Sequence, residues 1–254
     1  MNVIALGVLA SLAAGLATGI GALPAFLFRR VSIRTMDILL GGAAGVMLAA
    51  TSFSLIIPGI EIGNQIRPGW GVAFVVFGMI LGAFFLDRAD KILPHEHFMT
   101  GHEGPASRLR KIWLFIIAIT IHNFPEGLAV GVGFGSGNLS AATSLAIGIG
   151  LQNMPEGLAV AFPLIGEGYS RSKAIGIATL TGLVEPVGGL LGVGAVTLFK
   201  PVLPIGLAFA AGAMLFVISD EIIPETHTRG FSRVATFGVI VGFIVMMALD
   251  NLLG

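Results

Sequence analysis

Eight long apolar stretches dominate the pattern of hydrophobic and polar positions along the chain. Each has about 20 residues, enough for a helix to cross the hydrocarbon core of a bilayer. The stretches are continuously apolar and do not alternate as membrane-spanning strands do. The sequence therefore predicts an all-α polytopic membrane protein with eight transmembrane helices. These helices are expected over residues 3–28, 35–58, 70–88, 111–134, 139–165, 172–198, 203–225 and 231–252.

The basic residues predict how these helices are oriented. If the N-terminus lies outside, twelve of the 14 Lys and Arg residues fall on the inner side, and only Arg67 and Lys200 fall on the outer side. Inner loops of membrane proteins carry such an excess of basic residues. We therefore expect both termini to be extracytoplasmic in a multi-pass protein of the cell membrane, with residues 1–254 as one transmembrane domain.

Composition supports a membrane location and limits the chemistry. Only 11% of the residues are charged, whereas a soluble domain has about a quarter. The lipid bilayer is thus the expected surrounding, and the net charge of zero argues against nucleic acid as a partner. The chain has no Cys, which excludes disulfides, thiolate metal ligands and cysteine nucleophiles.

A polar motif occurs twice, in the fourth and fifth predicted helices. Its members share the pattern of a polar residue, an Asn next to it and a Glu four positions on: His122, Asn123 and Glu126, then Gln152, Asn153 and Glu156. Residues i and i+4 share a helix face, and i+1 flanks it. The short turn between the helices makes them antiparallel neighbours. We therefore expect the two patches to meet inside the bundle.

The two motif carboxylates lie in the middle third of their helices, where a charge is expensive and marks a functional site. No Lys or Arg lies at that depth of any predicted helix, so a cation is the expected counter-charge. One imidazole, several amides and carboxylates suit a divalent ion such as zinc, iron or manganese. Protonated carboxylates, which would form a proton path, are the alternative. Glu185, next to Pro186 in the sixth helix, is a further candidate ligand.

The sizeable hydrophilic segment, residues 89–110, is predicted to be a cytoplasmic loop. It contains several His residues, which is typical of metal-binding tracts. Acidic residues at the inner end of the seventh helix lie on the same side of the membrane. Together they suggest a metal site at the cytoplasmic exit, made of Asp90, His95, His97, Asp220 and Glu221.

The paired Pro-Glu-Gly motifs, Val-Glu-Pro-Val-Gly-Gly in the sixth helix and Asp-Glu-Ile-Ile-Pro-Glu in the seventh resemble the ZIP (Zrt/Irt-like) family of metal transporters, in its GufA-like branch. The resemblance covers nearly the whole chain. It implies a 3+2+3 arrangement of helices with an inverted pseudo-repeat. It also implies ATP-independent movement of zinc, with iron, manganese and cadmium as related cargoes, towards the cytoplasm.

The resemblance further implies a binuclear metal site bridged by Glu126 and Glu156. One metal would be held by His122, Glu126, Gln152 and Glu156, and the other by Asn123, Glu126, Asn153, Glu156 and Glu185. The chain departs from the commonest family pattern at Gln152, where His is usual, and some members have Asp in place of Asn153. Both departures replace a strong ligand with a neutral amide.

We expect a secondary transporter that works by alternating access around this midplane site, and not an enzyme. A selective metal channel is the nearest alternative, because the sequence does not reveal gates. An intramembrane metal-dependent enzyme is less favoured, since no His-Glu-x-x-His motif occurs. A metal sensor without transport is a further, less favoured alternative. A homodimer is compatible with this reading.

Overall fold

The structure is a computed structural model and describes residues 2–28, 30–92, 95–97, 101–103 and 111–253. Helices make up most of this part of the chain. They are α1 (Val3–Ala22), α2 (Ile33–Ala49), α3 (Ile57–Ile66), α4 (Gly71–Ile92), α5 (Lys111–Gly135), α6 (Leu139–Gly166), α7 (Arg171–Gly182), α8 (Glu185–Leu198), α9 (Leu203–Val217), α10 (Ile223–His227) and α11 (Ser232–Leu253). The all-α class is therefore confirmed.

The hydrophilic loop contains a short antiparallel hairpin. Strand β1 (His95–His97) pairs with β2 (Gly101–Glu103), with His95 opposite Glu103. The side chains of both strands lie outside the described residues, as do residues 93–94, 98–100 and 104–110 of the predicted loop. The hairpin backbone packs against α5.

Seven helical segments of the described chain are long and apolar enough to cross a membrane, which confirms a multi-pass membrane protein. Helix α6 is not among them, although its 28 residues exceed the required length. It carries the polar motif residues Gln152, Asn153 and Glu156 in its middle, and these lower its hydropathy. The count of eight transmembrane helices stays a prediction.

The second membrane segment is helical without interruption over Ile33–Ile66 and is longer than the predicted helix 35–58. A π-helical stretch, Ala50–Ile56, joins α2 to α3. Pro58, which cannot donate a backbone hydrogen bond, follows this π-helical stretch, at the second residue of α3. A second π-helical stretch, Ile218–Ile222, joins α9 to α10 in the same way. Such stretches are frequent at functional sites.

The sixth predicted helix, 172–198, is broken in the structure. Helix α7 ends at Gly182, and α8 begins at Glu185. Pro186 explains the break, because its ring would clash with the carbonyl group of Gly182 in a continuous helix. As a result Glu185 lies at the N-terminus of α8, where the helix dipole favours a negative charge.

The helices pack as two bundles. In the first bundle α1 lies against α5, α6, α7 and α8, and α5 lies against α8. In the second bundle α2 pairs with α11, and α4 pairs with α3 and α9. A large apolar core cluster contains residues from both bundles, among them Ile149 of α6 and Met214 of α9.

Glycines allow backbones to touch within each bundle. A Cβ atom at Gly127 of α5 would collide with the carbonyl oxygen of Glu185, and one at Gly157 of α6 would collide with that of Thr18. In the second bundle, Gly45 meets the carbonyl oxygen of Val239 in the same way. Small residues are what bring membrane helices this close.

We predict that Gly127→Ala destabilises the protein by about 1–3 kcal/mol, the usual cost of overpacking. The added methyl group would push the start of α8 away from α5, because backbone atoms cannot move aside separately. Gly194→Ala in α8 is the matched control, since a Cβ atom there meets nothing within 4 Å. Thermal unfolding of the purified variants in detergent measures the difference. Equal melting temperatures for both variants and the parent would contradict the close approach.

Candidate metal centre

The repeated motif forms one buried polar cluster in the first bundle. Helix α5 contributes three of its side chains and α6 another three, and Glu185 joins them from the N-terminus of α8. Each of these side chains exposes at most 5% of its surface. The members are His122, Asn123, Glu126, Gln152, Asn153, Glu156 and Glu185. The structure thus brings together all seven residues predicted for the central site.

Two amides of α6 tie neighbouring helices together. Gln152 Nε2 donates a hydrogen bond of 2.5 Å to Glu126 Oε1 on α5. Asn153 Nδ2 donates one of 2.5 Å to Glu185 Oε1 on α8 and one of 2.9 Å to the carbonyl oxygen of Ala14 on α1. Hydrogen bonds to carboxylates are stronger than those between neutral groups. The amides therefore hold four helices around the cluster.

The acidic side chains of the cluster interact with one another. Glu126 lies close enough to Glu156 and Glu185 for their charges to repel. His122, the one imidazole of the cluster, lies close enough to Glu156 for the two side chains to interact electrostatically. Like charges gathered in a protein interior require compensation by a cation or by protons.

Part of each acidic and amide group remains without a hydrogen-bond donor. Every one of these side chains has a buried oxygen atom that no described residue reaches. The oxygens are Asn123 Oδ1, Glu126 Oε2, Gln152 Oε1, Asn153 Oδ1, Glu156 Oε2 and Glu185 Oε2. Buried oxygens are normally paired, and carboxylate and amide oxygens are ligands for divalent cations. The cluster therefore fits a cation chemically.

Glu221, which was predicted for the exit site, lies next to the central cluster in the structure. Its Oε1 atom is 2.6 Å from His122 Nε2, and both side chains are buried. The π-helical stretch of the second bundle brings it there, while its neighbour Asp220 is exposed. Glu221 thus lies at the edge of the central cluster, next to His122, whereas Asp220 is exposed.

The remaining residues of the predicted exit site are only partly described. Asp90 is buried in the last turn of α4, and strand β1 with His95 and His97 lies against α5. Over the described ranges, no three His, Asp or Glu side chains form a ready metal-ligand group. The central cluster is instead a mixed set of carboxylates, amides and one imidazole. The exit site stays a prediction.

A cavity of about 580 Å³ leads from the cluster to the protein surface. His122, Glu156 and Glu221 line its inner end. Its walls are mostly apolar, and include Met36, Leu40, Phe115, Ile119 and Phe162. These apolar walls offer few ligands, so the polar contacts are confined to the side lined by His122, Glu156, Glu221, Glu225 and Arg229.

Three charged residues at the cavity mouth were not predicted from the sequence. Arg229 and Glu225 line the cavity and form an ion pair, and Asp37 of α2 lies behind them, fully buried. The sequence could have indicated Glu225, because it lies four residues after Glu221 and residues with that spacing share one helix face. No local pattern links Asp37 to Arg229. Partial burial lowers the pKa of the Arg229 guanidinium, and the charge of Asp37 acts in the opposite direction.

These features define a multi-pass helical membrane protein with a buried cation-type site and a cavity that reaches it. Comparison with known proteins agrees. Residues 95–250 match the family model described as ZIP zinc transporter. The chain is 47% identical to zinc transporter GufA of Myxococcus xanthus, over 98% of this chain and 99% of that protein.

Other relatives are similar over most of their length. Zinc transporter ZIPB of Bordetella bronchiseptica is 46% identical over 94% of this chain and 78% of its own. Human zinc transporter ZIP11 is 38% identical over 93% of this chain and 94% of its own. The chain belongs to the ZIP zinc transporter family, as its motifs indicated, in the GufA-like branch. This is a family of transporters and not of enzymes.

We predict that Asn153→Ala destabilises the protein by about 1–3 kcal/mol, because it removes the donor of a buried carboxylate oxygen of Glu185 and leaves that oxygen unpaired. Asn251→Ala is the control, since Asn251 makes a similar 2.8 Å bond to the carbonyl oxygen of Met247 but is exposed. That variant should stay within about 0.5 kcal/mol of the parent. Thermal unfolding in detergent compares them. A parent-like melting temperature for Asn153→Ala would show that the amide does not tie the helices.

Proposed function

We propose that this protein moves zinc ions into the cytoplasm without ATP, through the cluster between α5 and α6. The observation that carries the proposal is the set of buried oxygens that have no hydrogen-bond donor among the described residues. A divalent cation would neutralise the gathered carboxylates and accept these oxygens as ligands. The relatives named as zinc transporters favour zinc as the cargo. Iron, manganese and cadmium are further cargoes compatible with the same donors.

The proposed site holds two metal positions bridged by Glu126 and Glu156. The first would use His122, Glu126, Gln152 and Glu156, and the second Asn123, Glu126, Asn153, Glu156 and Glu185. Zinc accepts nitrogen and oxygen ligands of this kind. Three of the ligands, Asn123, Gln152 and Asn153, are neutral amides that bind less tightly than imidazole or carboxylate. Weaker binding of this kind suits transport, because the ion must also leave the site.

The proposed topology has eight transmembrane helices, namely the seven apolar segments and α6. In the proposed orientation both termini lie on the extracytoplasmic side of the cell membrane. Two observations support it. Nearly all basic residues then fall on the inner side, and the cavity mouth, at Val31, Ile33 and Arg229, lies among them. The cavity is then the outlet to the cytoplasm, and the whole chain forms one transmembrane domain.

The proposed outlet begins at Glu221. Its carboxylate is 2.6 Å from His122, so it is the first carboxylate that a departing ion meets beyond the central ligands. Asp90, His95, His97 and Asp220 would receive the ion at the cytoplasmic end. The packing of strand β1 against α5, the helix that carries His122, supports a role for the hairpin there.

The proposed mechanism is alternating access, in which the first bundle moves against the second. Many glycines that face their own bundle approach backbone atoms, as Gly127 and Gly157 do, although Gly7, Gly19 and Gly135 meet side chains. Glycines that face the other bundle meet only side chains in the described chain: Gly148 contacts Met246, and Gly206 contacts Val132. Side chains can rearrange as surfaces slide, whereas locked backbones cannot. The site lies in the first bundle and would be carried with it.

We predict that Glu156→Ala reduces zinc entry into proteoliposomes to below about one tenth of the parent rate, because loss even of groups that only support metal ligands costs 10–100-fold. The liposomes contain a zinc indicator and no ATP. Glu167→Ala is the matched control, since Glu167 caps the end of the same helix and is exposed. Parent-like entry in Glu156→Ala would rule out the central site as the path.

A second prediction concerns the motion between bundles. The chain lacks Cys, so introduced pairs form the only disulfides. A Cβ atom at Gly206 would lie 3.4 Å from Val132 Cγ1, within reach of a disulfide from Val132→Cys/Gly206→Cys. Oxidation of this pair should stop zinc entry, because it joins α5 of the first bundle to α9 of the second. Reduction should restore it.

The control pair, Gly7→Cys/Val193→Cys, lies within the first bundle. There the Cβ atoms are 3.2 Å apart, and their disulfide should leave zinc entry unchanged. Zinc entry that survives oxidation of the Val132/Gly206 pair would contradict alternating access. That result would instead favour a selective channel, which needs no relative motion of the bundles.

A further inference from the structure

A charged network outside the proposed ligands closes one side of the cavity mouth. Arg229 lies in the turn between α10 and α11. Its Nη2 atom pairs with Glu225 Oε1, and its Nη1 atom lies 3.5 Å from Asp37 Oδ1. The turn is also held by His227, whose ring nitrogens are 2.9 Å from the carbonyl oxygen of Ile223 and 3.0 Å from Thr236 Oγ1. The guanidinium is therefore fixed in place.

The carboxylates of this network would attract a departing metal ion if they stood alone. Asp37 is fully buried, and no described residue donates a hydrogen bond to its Oδ2 atom. Glu225 and Glu221 line the same cavity, one helical turn apart. Several carboxylates on one wall are the oxygen donors that divalent cations prefer. Such a wall would hold the ion on its way out.

We propose that Arg229 determines how fast the metal leaves: its guanidinium occupies the carboxylates of Asp37 and Glu225 in place of the cation, and so prevents a second cation trap at the cavity mouth. Arginine suits this role because it stays charged and holds carboxylates through several donors. The inference rests on the proposed function, since it requires the ion to leave through this cavity.

The network belongs entirely to the second bundle. Asp37 lies on α2, Glu225 on α10 and Arg229 in the turn that follows α10. Movement of the first bundle would therefore not separate the three charges. Their effect on the mouth is the same whether the central site faces inwards or outwards, so Arg229 acts on release and not on the ligation of the ion at His122 and Glu156.

Three variants of the full chain test the proposal: Arg229→Gln, Arg229→Lys, and the triple variant Asp37→Asn/Glu225→Gln/Arg229→Gln. Equilibrium dialysis of purified protein against zinc chloride counts the zinc ions bound per chain. Zinc entry into proteoliposomes measures turnover. We expect Arg229→Gln to bind one more zinc ion than the parent and to turn over about tenfold more slowly, as Coulomb attraction at the partly screened mouth predicts.

The other two variants should resemble the parent in both measurements. Lysine keeps the positive charge, and the triple variant removes the carboxylates together with the guanidinium. An unchanged zinc count in Arg229→Gln would overturn the proposal. So would a triple variant as slow as Arg229→Gln, because the arginine would then serve the structure of the turn alone.

The experiment still tests the proposal if Arg229→Gln fails to fold, because the triple variant removes all three charges of this network together. Its parent-like turnover would support the proposal, and slow turnover of a folded triple variant would overturn it. If the parent itself does not transport zinc, the proposed function fails. The dialysis count still decides whether Arg229 masks a cation site, so the two failures can be told apart.

Discussion

Burial of carboxylates inside a membrane-spanning bundle is the constraint on which this structure depends. Glu126, Glu156 and Glu185 are almost completely removed from solvent, and a charge in such a place costs several kcal/mol unless it is paired. Gln152 and Asn153 offset part of this cost with one amide donor for each of two carboxylates. The oxygens that remain without donors would be stabilised by a nearby positive charge. The buried carboxylates, which are the most costly groups to bury on folding, are therefore also the groups that would attract a cation.

The same constraint explains the close packing of the first bundle. An amide on α6 reaches acceptors on α1, α5 or α8 only if the helix backbones lie almost in contact. Gly127 and Gly157 permit this by leaving room for carbonyl oxygens of the adjacent helices. The second bundle uses its own glycines in the same way, but the surface between the bundles is made of side chains. Relative motion of the bundles, as proposed, would repack these side chains and leave the backbone contacts within each bundle intact.

Charged residues follow one side of the cavity from its inner end to its mouth. His122 and Glu221 meet at the inner end, and Glu225, four residues further along the chain, pairs with Arg229 at the mouth. The other walls are mostly apolar and offer few ligands. A transport path needs a site that selects the ion and an outlet that does not retain it. In the proposed function, the cluster at the inner end would select the ion, and the ion pair at the mouth would not retain it.

The sequence by itself determined the features that depend on local spacing. Long apolar stretches predicted the membrane helices, and the i, i+4 spacing of His122 and Glu126 predicted a polar patch on one face. The break before Glu185 lies at a local signal, Pro186, but proline alone does not predict a break here, because Pro125 and Pro155 lie inside continuous helices. Only the tertiary structure decided that Glu221 faces His122 and that Arg229 faces Asp37, 192 residues away along the chain. Those pairings depend on how each helix is rotated and shifted against its neighbours, which is set by backbone contacts at glycines and by π-helical stretches, and not by the spacing of residues within one helix.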